Sequence, residues 1–264
     1  MVASHRAADG GIGRLTAQLG YRYRERAPHP GLAEHVACVW SGAAHTGMRI
    51  LPDGCIDIVW IGDAALTVAG PDTGGNVVGL PDGTLTVGVR FRSGRAPGFL
   101  RTDAQDLTDR SITLEDVWGA HARRLTANLA TAPTVEAKQA VLEGALLARL
   151  DDADPPHPDV AAAIDLIAAS PSTARVADLS KELNVSERHL RRRFGRAIGY
   201  GPKTFGRVLR FRNFLDLVEA DGYPLGQAAA EAGYTDQPHL TRESNDLAGL
   251  PPAELIAVRN VQDG

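Results

Sequence analysis

Nine basic side chains crowd into residues 186–212: Arg188, Arg191, Arg192, Arg193, Arg196, Lys203, Arg207, Arg210 and Arg212, against one acid, Glu187. Charge at this density can neutralise a run of phosphates, and arginine can fork onto guanine O6 and N7 in a major groove. The segment carries a net +8 inside a chain whose formal charge is −4. The unevenness, rather than the average, points to a polyanion partner.

Presentation of these groups depends on the elements that carry them. Residues 175–183 read as a short helix, 184–186 as a tight turn, and a second helix starts at Glu187 with Ser186 as a suitable N-cap. A helix, a turn and a capped second helix form a helix-turn-helix signature. On a wheel of 3.6 residues per turn with Leu190 at zero, Phe194 falls at about 40° and Ala197 at about −20°. Arg188 and Arg192 fall near 160° and 200°, about opposite that packing stripe, flanked by Arg191 and Arg196. A basic face that is merely solvated, with no partner, is the alternative. Pro202 then opens a helix through Glu219, a rod of about 27 Å. A second unit follows: a helix over 225–232, the turn Gly233-Tyr234-Thr235, Asp236 as N-cap and a helix to about Leu247. Two reading heads on such a rod would reach successive major-groove faces, about 34 Å apart, from one chain.

The phrase Gly233-Tyr234-Thr235-Asp236-Gln237-Pro238-His239-Leu240-Thr241-Arg242-Glu243, followed by Ala248-Gly249-Leu250-Pro251-Pro252-Ala253, resembles the AraC/XylS family of transcription regulators. The resemblance covers roughly residues 160–257. It implies two helix-turn-helix units joined by a central helix, with Arg188, Arg191 and Arg192 of the first unit at the DNA. In the second unit it implies Gln237, His239, Thr241 and Arg242. One departure matters: the family usually has Phe where this chain has Ser244, and often basic residues at Asn245 and Asp246. Loss of an aromatic from a small core typically costs about 3–5 kcal/mol. From Asn213 to Gly264 there are two basic residues against nine acids. The second unit is therefore expected to bind weakly and the first to supply most of the affinity.

Ahead of this half, residues 151–158 are acidic, with three prolines in four residues, and read as an interdomain linker. Residues 1–30 read as a lead-in, 31–150 as a β-rich sensor domain ending in two helices, and 159–258 as the DNA-binding domain. Short apolar runs at 35–41, 48–51, 56–61, 66–69, 76–80 and 85–91 are cut by Pro52-Asp53-Gly54, Gly62-Asp63, Gly70-Pro71-Asp72 and Pro81-Asp82-Gly83. That pattern predicts an antiparallel sandwich or small barrel, and the residues after Asp103 turn to helical spacing over 113–129 and 134–150. The fold class is α+β. The phrases Leu51-Pro52-Asp53-Gly54-Cys55-Ile56-Asp57-Ile58-Val59-Trp60, Ala69-Gly70-Pro71 and Gly88-Val89-Arg90-Phe91-Arg92, with 114–119 after them, resemble a poorly characterised sensor domain of actinobacterial family members.

Asp53-Gly54 reads first as a turn. Asp57 is a carboxylate in an apolar run and needs a partner if buried. Arg90 and Arg92, at strand spacing, are the candidates. One reading is a structural Asp–Arg pair; the other is a pocket for a polar or anionic effector lined by Trp40, Asp57, Trp60 and Arg90. Cys38 and Cys55 are too few for a disulfide framework or four-thiolate zinc site. His35 and His45 lack the clustering of a metal site. No nucleophile elbow, phosphate loop or dinucleotide fingerprint is present, so no catalytic residue, metal or cofactor is expected. No apolar run reaches the length of a membrane span, and residues 1–20 lack a signal core, so a cytoplasmic location is expected. The expected partners are promoter DNA, a small-molecule effector, RNA polymerase and a second copy of the chain. Two other readings remain open: a protein–protein adaptor that has lost DNA binding, and a DNA-alkylation repair enzyme, which would need a nucleophilic cysteine.

Overall fold

The computed structural model describes residues 23–44, 47–62 and 65–263. Residues 1–22, most of the expected lead-in and all of the segment read for a signal, lie outside it, as do His45 and Asp63.

The N-terminal half is built on six antiparallel strands, with a separate two-stranded ribbon. The strands are β1 (Arg24–Arg26), β2 (Val36–Ala43), β3 (Arg49–Ile50), β4 (Asp57–Ile61), β5 (Ala65–Ala69), β6 (Asn76–Val77), β7 (Leu85–Phe91) and β8 (Ser111–Thr113). The large sheet has the order β1-β2-β7-β4-β5-β8, and β3 pairs with β6. The expected runs are all strands; β1 and β8, three residues each, were not anticipated, and β1 falls within the expected lead-in. Strand parity divides the sheet. Val39, Ile58, Trp60, Leu66, Val68, Val87 and Val89 form one apolar face. Helices rather than a second sheet cover it: α1 (Ala96–Leu100), α2 (Leu114–Trp118), α3 (Ala120–Thr131) and α4 (Val135–Leu147) bring Phe99, Leu114, Trp118, Leu125, Leu142 and Leu146 into the same core. The other face carries Cys38, Trp40, Asp57, Val59 and Arg90. Gly88 is required there, since a Cβ would lie 2.3 Å from the Trp40 indole that crosses it.

The C-terminal half is helical: α5 (Pro158–Ala169), α6 (Val176–Glu182), α7 (Glu187–Ile198), α8 (Pro202–Glu219), α9 (Leu225–Glu231), α10 (Gln237–Ala248) and α11 (Pro252–Asp263). Its core gathers Leu190, Phe194 and Ile198 of α7, Phe205, Val208, Phe211 and Phe214 of α8, and Leu240 and Leu247 of α10. The loop before β4 closes the two halves together. Leu51 is buried among these helical residues, and Gly54, at φ +78°, lets the backbone come so near Phe205 that a Cβ would stand 2.6 Å from the ring.

Candidate nucleic-acid interface

Local chemistry fixes each helix-turn-helix. The α6–α7 turn needs one left-handed residue, supplied by Asn184 at φ 52°, and Ser186 Oγ accepts the His189 amide at 3.2 Å. In the second unit Gly233 takes φ +83°, and Asp236 Oδ1 accepts the His239 amide at 2.6 Å. Each cap satisfies an amide that no helical carbonyl can reach, a contribution of about 1 kcal/mol.

On α7 the packing stripe of Leu190, Phe194 and Ile198 is sealed from solvent, with Phe194 edge-on to Phe205 at 5.5 Å. This fixes the rotation of α7 and turns Arg188, Arg191 and Arg192 outward, all exposed. Arg188 and Arg192 have no ion-pair partner among the described residues. Arg191 is paired one turn back with Glu187 at 2.5 Å, an exposed contact of small energetic weight. Arg196 is exposed but its Nε lies 3.1 Å from Asp103 of the N-terminal half.

Much of the remaining charge in this segment is internal. Arg193 pairs with Asp159. Arg207 and Arg210 converge from α8 on Glu243, which is 4% exposed at its side chain; Arg207 Nε lies 3.1 Å and Arg210 Nη2 2.6 Å from its oxygens. Arg207 also reaches Asp246 at 2.9 Å, and the Tyr234 hydroxyl donates to Glu243 at 2.9 Å. By sequence alone Arg207 and Arg210 count toward the net +8 of residues 186–212 and Glu243 toward the nine acids that follow Asn213. The available signal was Glu243 three residues after Leu240, on the flank of the buried stripe.

Within α10, Gln237 and Arg242 are exposed. The Thr241 hydroxyl donates back to the Gln237 carbonyl at 2.9 Å. The His239 ring is half-buried, edge-on to Tyr234 at 5.2 Å, with Thr235 Oγ1 3.3 Å from Nδ1 and Arg210 Nη2 3.4 Å from Nε2. Ser244, where an aromatic was expected, is fully buried and donates to the Leu250 carbonyl at 2.7 Å, so its hydroxyl holds the chain just after the helix.

The N-terminal half touches both units. Besides Asp103–Arg196, Thr108 Oγ1 donates to the Gly199 carbonyl at 2.9 Å, directly after α7. Arg49 donates to the Ala248 carbonyl at 2.9 Å, the last residue of α10.

Of the four sensor residues singled out, Trp40, Asp57 and Arg90 come together; Trp60 does not. Arg90 meets Asp57 through two nitrogens at 3.1 and 3.0 Å, and Trp40 Nε1 donates to the same carboxylate at 3.1 Å. Asp53 and Glu25 lie 3.5 and 3.9 Å from Arg90. Burial pushes the Asp57 carboxyl above its usual range while Arg90 pulls it back. Trp60 is on the opposite face, in the helix-covered core, with the Lys138 ammonium 5.5 Å from its ring centre. The sequence held the reason: Asp57 and Trp60 are three residues apart on one strand, and odd spacings point to opposite faces. Arg92 donates to the Ala33 carbonyl at 2.8 Å and is not the partner of Asp57 in the pair above. Both cysteines are free and buried, and burial pushes both thiols up. No helix among the described residues is long and apolar enough to cross a membrane.

A helix-turn-helix domain family matches residues 179–257, and a domain of unknown function (DUF6597) matches residues 24–113. Among solved structures, a substituted apo form of ToxT from Vibrio cholerae aligns at 11% identity and TM-score 0.50, over 88% of this chain and 99% of that one. A 1.65 Å structure of ToxT gives 11% identity and TM-score 0.45, over 83% and 96%. A ToxT structure with unsaturated fatty acid bound gives 12% and 0.45, over 83% and 93%. No curated protein matches the chain. At such identity the first of these likenesses shows the fold: an antiparallel sheet domain with helices followed by an all-helical one.

Proposed function

We propose that this chain, whose residues 179–257 match a helix-turn-helix domain family and whose residues 24–113 match a domain of unknown function, is an AraC-type transcription regulator, a one-component switch that binds operator DNA chiefly through its first reading head. The observation that carries this is the outward pair Arg188 and Arg192 on a capped helix, with no carboxylate holding either among the described residues. Arg191 joins them once its exposed pair with Glu187 yields to a phosphate. Arg196 is a fourth contact, available when α7 parts from Asp103. In the second head Gln237 and Arg242 are free to reach DNA, while His239 and Thr241 are engaged within the protein and act by shaping α10.

The N-terminal domain is the effector-responsive part. Residues 31–150 sense, 151–158 link and 159–258 bind DNA. Asp57 and Arg90 form an internal pair beside the 51–55 loop to which Trp40 also donates, so a polar effector acts there by competing for Arg90. The protein works in the cytoplasm, with RNA polymerase at the promoter and a second copy of itself as partners. The repair-enzyme reading is disfavoured: that reaction would need a reactive thiolate, and desolvation drives both thiols the other way. The adaptor reading loses part of its motive, because Glu243 is an internal counter-ion.

The test is to compare Arg192→Ala with Arg242→Ala in binding to operator fragments recovered by genome-wide footprinting. A base-reading arginine on the dominant head should cost about 1–3 kcal/mol and relax sequence preference. Equal losses from the two would refute the dominance of the first head. Absence of any salt-dependent binding would refute the regulator.

A further inference from the structure

Between α8 and α10, against the loop after α5, lies a cleft of about 460 Å³. Lys203, Arg207 and Arg210 reach it from α8 at spacings of four and three, which places them on one face. Arg242, Glu243 and Asp246 reach it from α10. The acids do not set its charge, because Glu243 is matched by Arg210 and Arg207, and Asp246 by Arg207. Lys203 and Arg242 remain, both exposed and neither with an ion-pair partner among the described residues. Two unneutralised cations line one concave site whose own carboxylates are already paired.

The site's place in the fold says what anion fits it. Arg242 belongs to the second reading helix, while α8 is the rod joining the two heads. Heads in successive major grooves leave a minor groove between them, and both its bordering backbones face whatever joins the heads. We propose that this cleft seats a backbone phosphate of the DNA, with Lys203 and Arg242 as its counter-charges, so that Arg242 grips rather than reads. The proposal rests on the regulator reading above and adds to it a contact from the central helix.

The test is anisotropy of a labelled mixed-sequence duplex of about three helical turns, titrated with the full-length protein between about 50 and 200 mM salt. Lys203→Gln and Arg242→Gln are compared with Arg124→Gln, an exposed arginine on α3 that controls for net charge. Each cleft variant should lower the log–log salt slope by about one, so that its affinity deficit shrinks about 3.5-fold over that salt range. The deficit should be the same on a second, unrelated duplex, and Arg124→Gln should leave the slope unchanged. An unaltered slope for Lys203→Gln, or a change of sequence preference for Arg242→Gln, would overturn the phosphate seat while leaving the regulator intact. Pyrophosphate titrated calorimetrically gives the other arm. Stoichiometric binding that Lys203→Gln abolishes, alongside an unchanged DNA slope, would make this a small-anion site and overturn the proposal. A wild-type protein with no DNA binding at all would remove the regulator reading, and the seat with it.

Discussion

Replacing Glu243 by alanine should damage the C-terminal domain far more than its place on a surface helix suggests. Its carboxylate accepts from Nε and Nη2 of Arg210, from Nε of Arg207 and from the Tyr234 hydroxyl, at 2.6–3.1 Å. The Arg210 side chain is 11% exposed, so truncating Glu243 strands a nearly buried guanidinium. Burial and the neighbouring carboxylate keep the Tyr234 phenol protonated, so it too loses its acceptor. Breaking one partner from a buried pair costs about 3–5 kcal/mol, and a lost buried hydrogen bond adds about 1–3 kcal/mol at most. Relaxation of the partly exposed Arg207 offsets some of this, leaving about 3 kcal/mol as the working figure. With a urea m-value of about 1–3 kcal/mol per molar, the midpoint of the transition reported by the helical half should fall by about 1–3 M. Glu243→Gln keeps the volume and an acceptor for Tyr234 and should lose less. Urea unfolding followed by far-ultraviolet circular dichroism reads both variants. A Glu243→Ala midpoint within about 0.3 M of wild type, at unchanged m, would refute the claim that this network fastens α10 to α8.

Asp103→Ala should tighten DNA binding, because it frees Arg196 from the N-terminal half. Both side chains are well exposed, so the pair is worth about 0.2–1 kcal/mol and the gain is about 1.4- to five-fold at low salt; weaker binding would count against α7 being restrained there. Asp72→Asn should make stability less dependent on pH. Burial, then the nearby Asp109, Asp53 and Asp57, raise the Asp72 carboxyl to about 6 from an ordinary 3.8. A carboxyl raised on folding favours the folded state below its unfolded value, and that contribution is lost as pH rises from about 4 to about 6. The variant should therefore be the more stable protein above pH 6, and denaturant midpoints that fall equally with pH in both would contradict this. Arg90→Ala leaves the buried Asp57 without its cation and should cost the sensor domain about 3–5 kcal/mol, read by near-ultraviolet dichroism of Trp40; a loss under about 1 kcal/mol would mean that the pair is not structural.

The helical half was legible because its signals are local. Ser186 and Asp236 as caps, the Gly233 turn and the spacing of Leu190, Phe194 and Leu240 each act within a few residues, and each stands where expected. The strands between turn pairs were legible for the same reason. Strands β1 and β8 were not, since three residues give no period and their pairing with β2 and β5 is a long-range choice. Trp60 was misplaced through neglect of a rule that sequence does carry, the alternation of side chains along a strand.

Charge was the hardest property to read, and its failure has one physical root. A sequence counts formal charges, whereas a partner meets only those the fold leaves uncompensated. Arg193, Arg207 and Arg210 counted toward a DNA-binding strip, yet each closes on a carboxylate 33 to 36 residues away. The same pairing removes Glu243 and Asp246 from the apparent acidity of the second head. Pairing therefore brings the two heads closer in character than their compositions imply, from opposite directions. It leaves the contrast between them resting on Arg188 and Arg192 against Arg242, the comparison on which the dominance of the first head stands or falls.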